Sequence, residues 1–387
     1  MDFAFTDEQN IIRETAADFL REIASSEKVR TAMESAQGYD QAVWQRICQE
    51  MFWQGIAIPE EYGGLGLGYV ELVAVLEEAG RVLLGPPFFA TVCLGANALL
   101  LAGNETQKKS WLGALCAGEL TATLGWSDQG QDEVSGITYT RAGDQYVLDG
   151  QLSLVADGHS AGLLIIAARP PGATRDDISL FAVPAGTPGL QSRHLPTMDQ
   201  TRKLAAVHLE GARLPATALL GEEGRGGIPL QKTLDLARIA LAAEQTGAAA
   251  RVLEQTVAYT KERVQFNRPV AGFQAVKHQA ADMMVRAETA RSAIYYAACI
   301  ADQELRGAGA APGELAEAAA IAKSWCSDAF FDNAGDAIQL HGGNGFTWEY
   351  DIHLFFKRAG ASARFLGEAT AQRERLAGLI LDDGGKG

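Results

Sequence analysis

The run Tyr259-Thr-Lys-Glu-Arg263-Val-Gln265-Phe266-Asn-Arg-Pro269-Val-Ala-Gly-Phe273-Gln274 sets guanidinium and amide donors among aromatic rings. A second run, Gln339-Leu-His341-Gly342-Gly343-Asn344-Gly345-Phe346, repeats the mixture. Planar charged donors hold diphosphate oxygens and aromatic side chains cover flat rings, so both runs suit a diphosphate-bearing planar cofactor. Gly342 and Gly343 let backbone amides approach a phosphate that a Cβ would obstruct. Taken singly, each run has a plainer reading, with Arg263 at a helix end and Gly342-Gly343 as a helix stop. Their pairing, each flanked by helical sequence, favours the cofactor. Elsewhere, Pro59 to Gly68 holds four glycines in six residues. It lacks the lysine and hydroxyl residue of a phosphate loop, which leaves a tight turn between helices.

The elements that must carry these runs fall into three blocks. Residues 1–118 are expected to form an N-terminal helical domain. Its first helix is signalled by a capping box of Thr6 and Gln9 and by Ile11, Ile12, Thr15, Phe19 and Ile23 at helical spacing. Residues 119–226 alternate as short strands, at Ile137 to Thr140, Tyr146 to Leu148, Leu163 to Ala168, Ile178 to Val183 and Ala206 to Leu209, which predicts a compact β domain. Residues 227–387 return to long helical stretches, Leu230 to Val264, Val276 to Arg306 and Glu314 to Leu340, which suit a four-helix bundle. Only the tail from Asp382 reads as disordered.

Composition bounds the function. The chain has 387 residues, 47% of them hydrophobic, enough for a sizeable core. A net charge of -15 argues against broad contact with nucleic acid or anionic lipid. The N-terminus carries no secretory pattern and no apolar run reaches the roughly twenty residues that span a bilayer, so a cytoplasmic protein without membrane insertion is expected. The five cysteines show no metal or redox pairing and read as reduced, mostly buried thiols.

Over nearly its whole length the sequence resembles the acyl-CoA dehydrogenase family. The resemblance implies a mainly α fold with a middle, β-barrel-like domain, and FAD shared across a subunit interface. One subunit's β domain would hold the isoalloxazine, and the neighbour's bundle would grip the diphosphate and adenosine. Arg263, Gln265, Phe266, Gln274, Gln339, Gly342 and Gly343 match that bundle half. Arg238 matches a family arginine near the thioester and implies substrate positioning. Phe346-Thr-Trp348-Glu349-Tyr350 and the residues after it look most like bacterial members acting on large acyl-CoA thioesters such as steroid side chains.

The reaction the resemblance implies removes the α proton to a glutamate and the β hydrogen as hydride to FAD. Electrons then pass to an electron-transferring flavoprotein. In many members the base lies in Tyr-Glu-Gly-Thr-x-Gln; here Leu366-Gly367-Glu368-Ala369-Thr370-Ala371-Gln372 aligns with it after a short insertion. Glu368 becomes the candidate base, Thr370 and Gln372 become adenosine-side contacts, and a solvated charge among Arg364, Arg373 and Arg375 is the plainer reading. In other relatives the base precedes the arginine matching Arg238, a position held here by Ala237. Glu244, seven residues and two turns further along that helical face, is a rival: either functional, or buried against an arginine such as Arg286 or Arg291.

The β-domain half departs from the family pattern. Where Thr-Glu-Pro-x-x-Gly-Ser-Asp is usual, the chain has Trp126-Ser127-Asp128-Gln129-Gly130-Gln131-Asp132-Glu133, and Leu154-Val155-Ala156 replaces Trp-Ile-Thr. Either Trp126 and Ser127 supply substitute flavin contacts, or this β domain holds no flavin and the chain completes the site of a sister subunit. Homotetramer and heterotetramer both remain open, as does a flavin oxidase acting on the same scaffold.

Overall fold

The structure is a computed structural model that describes residues 6–127, 136–173, 177–307 and 311–383. The stretch Asp128 to Glu133 and the end of the tail, residues 384–387, lie outside the described residues. The chain divides into two units. One comprises residues up to Arg30, Tyr69–Leu84 and everything from Arg238 on; the other comprises Thr31–Gly68 and Gly85–Ala237.

The first unit is helical. Helix α1 (Asp7–Ile23) opens on the expected capping box, with Gln9 N donating to Thr6 Oγ1 at 3.2 Å and Thr6 N to Gln9 Oε1 at 3.1 Å. Its buried face is Ala16, Phe19, Leu20 and Ile23, while Ile11 is 62% exposed. The apolar stripe is therefore rotated one position from the Ile11–Thr15 line, because residues 12, 16, 19, 20 and 23 share a face at 100° per residue. Helix α2 (Ser26–Glu34) follows.

Helix α4 (Tyr69–Arg81) is buried along almost its whole length. It crosses the long α7 (Gly227–Glu262) at a reciprocal pair of glycines. A Cβ on Gly80 would stand 1.9 Å from the Glu244 carbonyl oxygen, and one on Gly247 would stand 1.7 Å from that of Glu77. Only glycine lets two helix backbones meet so closely. Helices α8 (Gln274–Leu305) and α9 (Glu314–His341) extend the bundle beside α7. The shorter α10 (Ile352–Arg364) and α11 (Ala369–Asp383) pack against α9.

The second unit begins with short helices: α3 (Gln41–Arg46), α5 (Asn97–Ala102) and α6 (Glu105–Cys116). The Pro59 to Gly68 loop folds back on itself, Leu65 N donating to Gly55 O and Gly66 N to Ile58 O, each at 2.9 Å. Those amides are consumed within the turn.

Two four-stranded sheets follow. One has the order β1 (Ala122–Gly125), β4 (Leu163–Ala168), β5 (Ser179–Pro184), β8 (Leu219–Leu220). The other runs β2 (Ile137–Ala142), β3 (Gln145–Ala156), β7 (Leu204–Pro215), β6 (Leu190–Leu195). Alternating residues of β2, β3 and β7 meet Leu164, Ile166, Phe181 and Val183 in a shared core, as inward faces of packed sheets must. A bridge between Thr138 and Arg169 links the two sheets at one corner.

Candidate active site

The first motif run begins in the last turns of α7 and ends at the start of α8. Between them, β9 (Val264–Gln265) and β10 (Arg268–Pro269) pair as a minimal hairpin whose turn, Phe266 and Asn267, has φ of 52° and 61°. Two left-handed residues are what a tight hairpin turn asks for, yet a bulky aromatic there is uncommon. Phe266 is 87% exposed. Arg263, Gln265 and Gln274 are exposed too, while Arg268 covers the Phe273 ring at 3.9 Å.

The second run terminates α9. Gly342 (φ 59°, ψ -137°) turns the chain in a region closed to other residues, and Gly343 follows, both open to solvent. Gln339 is exposed one turn before. Tyr259 ties the two runs together: its hydroxyl donates to His341 O and accepts from Asn344 Nδ2, each at 3.2 Å. Its ring stacks on His341 at 4.3 Å. His341 is buried, which lowers its pKa, and its Nδ1 sits 2.8 Å from Ala337 O, so it stacks as a neutral ring.

The third group gathers where α10 passes into α11. Leu366 (φ 64°) and Gly367 (φ 96°) reverse the chain, and the Leu366 carbonyl accepts from Arg238 Nε at 3.0 Å and from Gln372 Nε2 at 3.2 Å. Glu368 follows. Its carbonyl accepts from Gln372 N at 3.0 Å, which makes it the N-cap residue of α11, where a negative side chain faces the positive helix end. Its carboxylate is exposed, with Arg364 at 3.4 Å. Thr370 is exposed, whereas Gln372 is 4% exposed and turned inward, holding the loop.

Glu244 differs in kind. It is buried, and its partner is Arg358 of α10 at 3.8 Å. The two arginines suggested by sequence are engaged elsewhere: Arg291 with Glu77 and Glu288, Arg286 with Asp336 and Asn333. Sequence reasoning also passed over Lys323 of α9, which has no exposed surface. The signal for it was a lone cation directly after the alanine-rich run Ala318 to Ala322.

In the β domain, Trp126 and Ser127 are half-buried at the end of β1. A Cβ on Gly125 would meet Leu152 and Val155, so β1 ends against the strand bearing Leu154-Val155-Ala156. Thr123 Oγ1 donates to Ala156 O at 2.6 Å. Leu154 itself is held at φ 63° and is 57% exposed. Among the described residues no cluster suits a metal ion, and no helix is long and apolar enough to cross a membrane.

Comparison with known proteins identifies the scaffold. Residues 6–119 match the family model for the acyl-CoA dehydrogenase N-terminal domain, and residues 224–381 that for the C-terminal domain. Acyl-CoA dehydrogenase IpdE2 of Mycolicibacterium smegmatis is 35% identical over 371 residues, covering 96% of this chain and 98% of that protein. Butyryl-CoA dehydrogenase from Megasphaera elsdenii superposes with a TM-score of 0.86 at 27% identity, covering 98% and 100% of the two chains. A chain of the ChsE4-ChsE5 complex from Mycobacterium tuberculosis does so at 0.88 and 25%, covering 99% of each. Matched by both family models and by a relative along almost its whole length, this chain belongs to the acyl-CoA dehydrogenase family of FAD-dependent oxidoreductases.

Proposed function

We propose that the chain catalyses α,β-dehydrogenation of an acyl-CoA thioester, with Glu368 as the base. FAD, when bound, supplies the acceptor for the hydride that leaves the β carbon. Arg263, Gln265, Phe266, Gln274, Gln339 and the Gly342-Gly343 amides fit its diphosphate and adenosine side, since all are exposed and the two runs are tied at Tyr259. Arg238 and Gln372 fix the backbone just ahead of Glu368, whose carboxylate takes the α proton. Substrate covering this exposed group would exclude water from the place where the proton is transferred. The two electrons then pass to an electron-transferring flavoprotein.

The observation carrying the assignment is the contrast between the carboxylates. Glu368 stands exposed on a loop held from within, and Glu244 is enclosed beside Arg358. Mixing flavin-loaded protein with a panel of acyl-CoA thioesters and following loss of flavin absorbance tests it. Glu368→Gln should keep its flavin yet bleach about 10²- to 10⁴-fold more slowly, while Glu244→Gln keeps a rate near wild type if it folds. Full-rate bleaching by Glu368→Gln sinks the assignment.

The β-domain half supports a second reading, in which this chain completes the flavin site of a sister subunit. At the end of β3, Leu154-Val155-Ala156 offers no hydroxyl, and the structurally similar ChsE4-ChsE5 is a complex of two named chains. Flavin absorbance of the chain purified alone and with a co-expressed sister chain separates the readings.

A further inference from the structure

We infer that Lys323 is a positioning residue for the base: its amine holds the end of α10 and thereby the loop that presents Glu368. The inference rests on Glu368 being that base.

Lys323 Nζ donates to Ala363 O at 3.0 Å and to Ser327 Oγ at 2.8 Å. Ala363 lies in the last turn of α10, where carbonyls have no partner within the helix. Three residues on, the Leu366 carbonyl takes the donors of Arg238 and Gln372. The segment entering Glu368 is thus gripped at two carbonyls by three inward side chains, from α7, α9 and α11. The Lys323 end continues as a polar chain through the bundle. Ser327 Oγ donates to Gln245 Oε1 at 3.2 Å, and Gln245 Nε2 to Ser362 Oγ at 3.1 Å, back on α10.

No salt-bridge partner lies within reach of Lys323 among the described residues, although the side chain is 0% exposed. An ammonium so placed is costly, and an apolar side chain of the same length would fill the space without that cost. What the lysine adds is a donor at the carbonyl end of α10. The charged and titratable groups around it are Arg238 on α7, Asp328 and the neutral Cys326 thiol on α9, and Glu368 ahead of α11. Burial first, then Arg238, pushes its pKa down to about 7 against the opposite pull of Cys326, Asp328 and Glu368. A neutral amine still donates, so the hold on Ala363 persists on both sides of that titration.

The test compares Lys323→Met, which removes the donor, with Lys323→Gln, which keeps a donor without charge. Both are made in the flavin-loaded full-length chain. Methionine should slow single-turnover bleaching about 10- to 100-fold, with flavin content and half-saturating acyl-CoA within about twofold of wild type, as a small misplacement of a catalytic group does. Glutamine should restore the rate to within about threefold, again by positioning. A methionine variant at wild-type rate overturns the inference, and so does a glutamine variant as slow as methionine. Loss of flavin or failure to fold in the methionine variant marks a purely structural group, which overturns it equally. Glu368→Gln is run alongside: full-rate bleaching there removes the base assignment itself, whereas a slow Glu368→Gln with a fast Lys323→Met removes only the role of Lys323.

Discussion

Arg263 carries its charge on an exposed turn and makes no ion pair or side-chain hydrogen bond among the described residues. A guanidinium left open in this way is ready for an anion. Its loss should leave folding untouched: Arg263→Gln should weaken FAD binding about 10- to 100-fold, the worth of a charge-assisted bond, with an unchanged melting temperature. Flavin titration followed by absorbance checks both halves. Lys323 gives a second residue-scale expectation. Its folded pKa of about 7 lies below the unfolded value of 10.5, so between these pH values the unfolded chain binds a proton that the folded chain does not. Stability contributed by this site therefore rises with pH across that window, and is least where both states are charged. The melting temperature of wild type relative to Lys323→Met should climb as pH is raised from neutrality to about 9. Arg263 was legible because its neighbours form a motif. Lys323 was not, because a lysine among alanines is equally at home facing water, and only the helices opposite decide.

At the scale of elements, the α4–α7 crossing is the tightest constraint. Gly80→Ala would press a methyl into the Glu244 carbonyl and drive the helices apart, so a loss of about 3 kcal/mol is expected in denaturant unfolding. The change would also be felt at Glu244 and Arg358, whose ion pair begins on the displaced turn. Helices of this length announce themselves through periodicity, and the strand from Leu163 to Ala168 was read to the residue. Periodicity locates an element better than it aims one. Ile11 faces water because what selects a face is the neighbouring helix, and Glu244 met Arg358 rather than Arg286 or Arg291 because partner choice depends on how helices cross. The inward turn of Gln372 follows likewise from the left-handed Leu366-Gly367 reversal, which leaves a carbonyl to be satisfied. In the sequence only Gly367 marks that reversal, and nothing signals the left-handed Leu366 before it.

For the molecule as a whole, the two exposed runs that we assign to FAD lie in the bundle, while the β domain departs from the family pattern at Trp126-Ser127 and Leu154-Val155-Ala156. Flavin stoichiometry distinguishes what the assembly does with that asymmetry. If Trp126, Ser127 and the Leu154 segment hold the ring system, a purified homo-oligomer should contain about one flavin per chain, the stoichiometry of independent sites. If they do not, flavin should appear only with a sister chain, at half that ratio. Light scattering with absorbance detection reads mass and stoichiometry together. The halves differed in legibility for a physical reason. Diphosphate grip needs charged and glycine residues at fixed spacing, while a flavin ring can be covered by many apolar surfaces.

Tyr259 gives the molecule one more property. Its hydroxyl is saturated by His341 and Asn344 and its ring is stacked, so the end of α7 and the end of α9 cannot drift apart independently. Much of the conformational freedom that a cofactor would otherwise have to remove has been given up during folding. A dinucleotide held as we propose would meet two runs already fixed to each other, and less of its binding energy would be spent on ordering them.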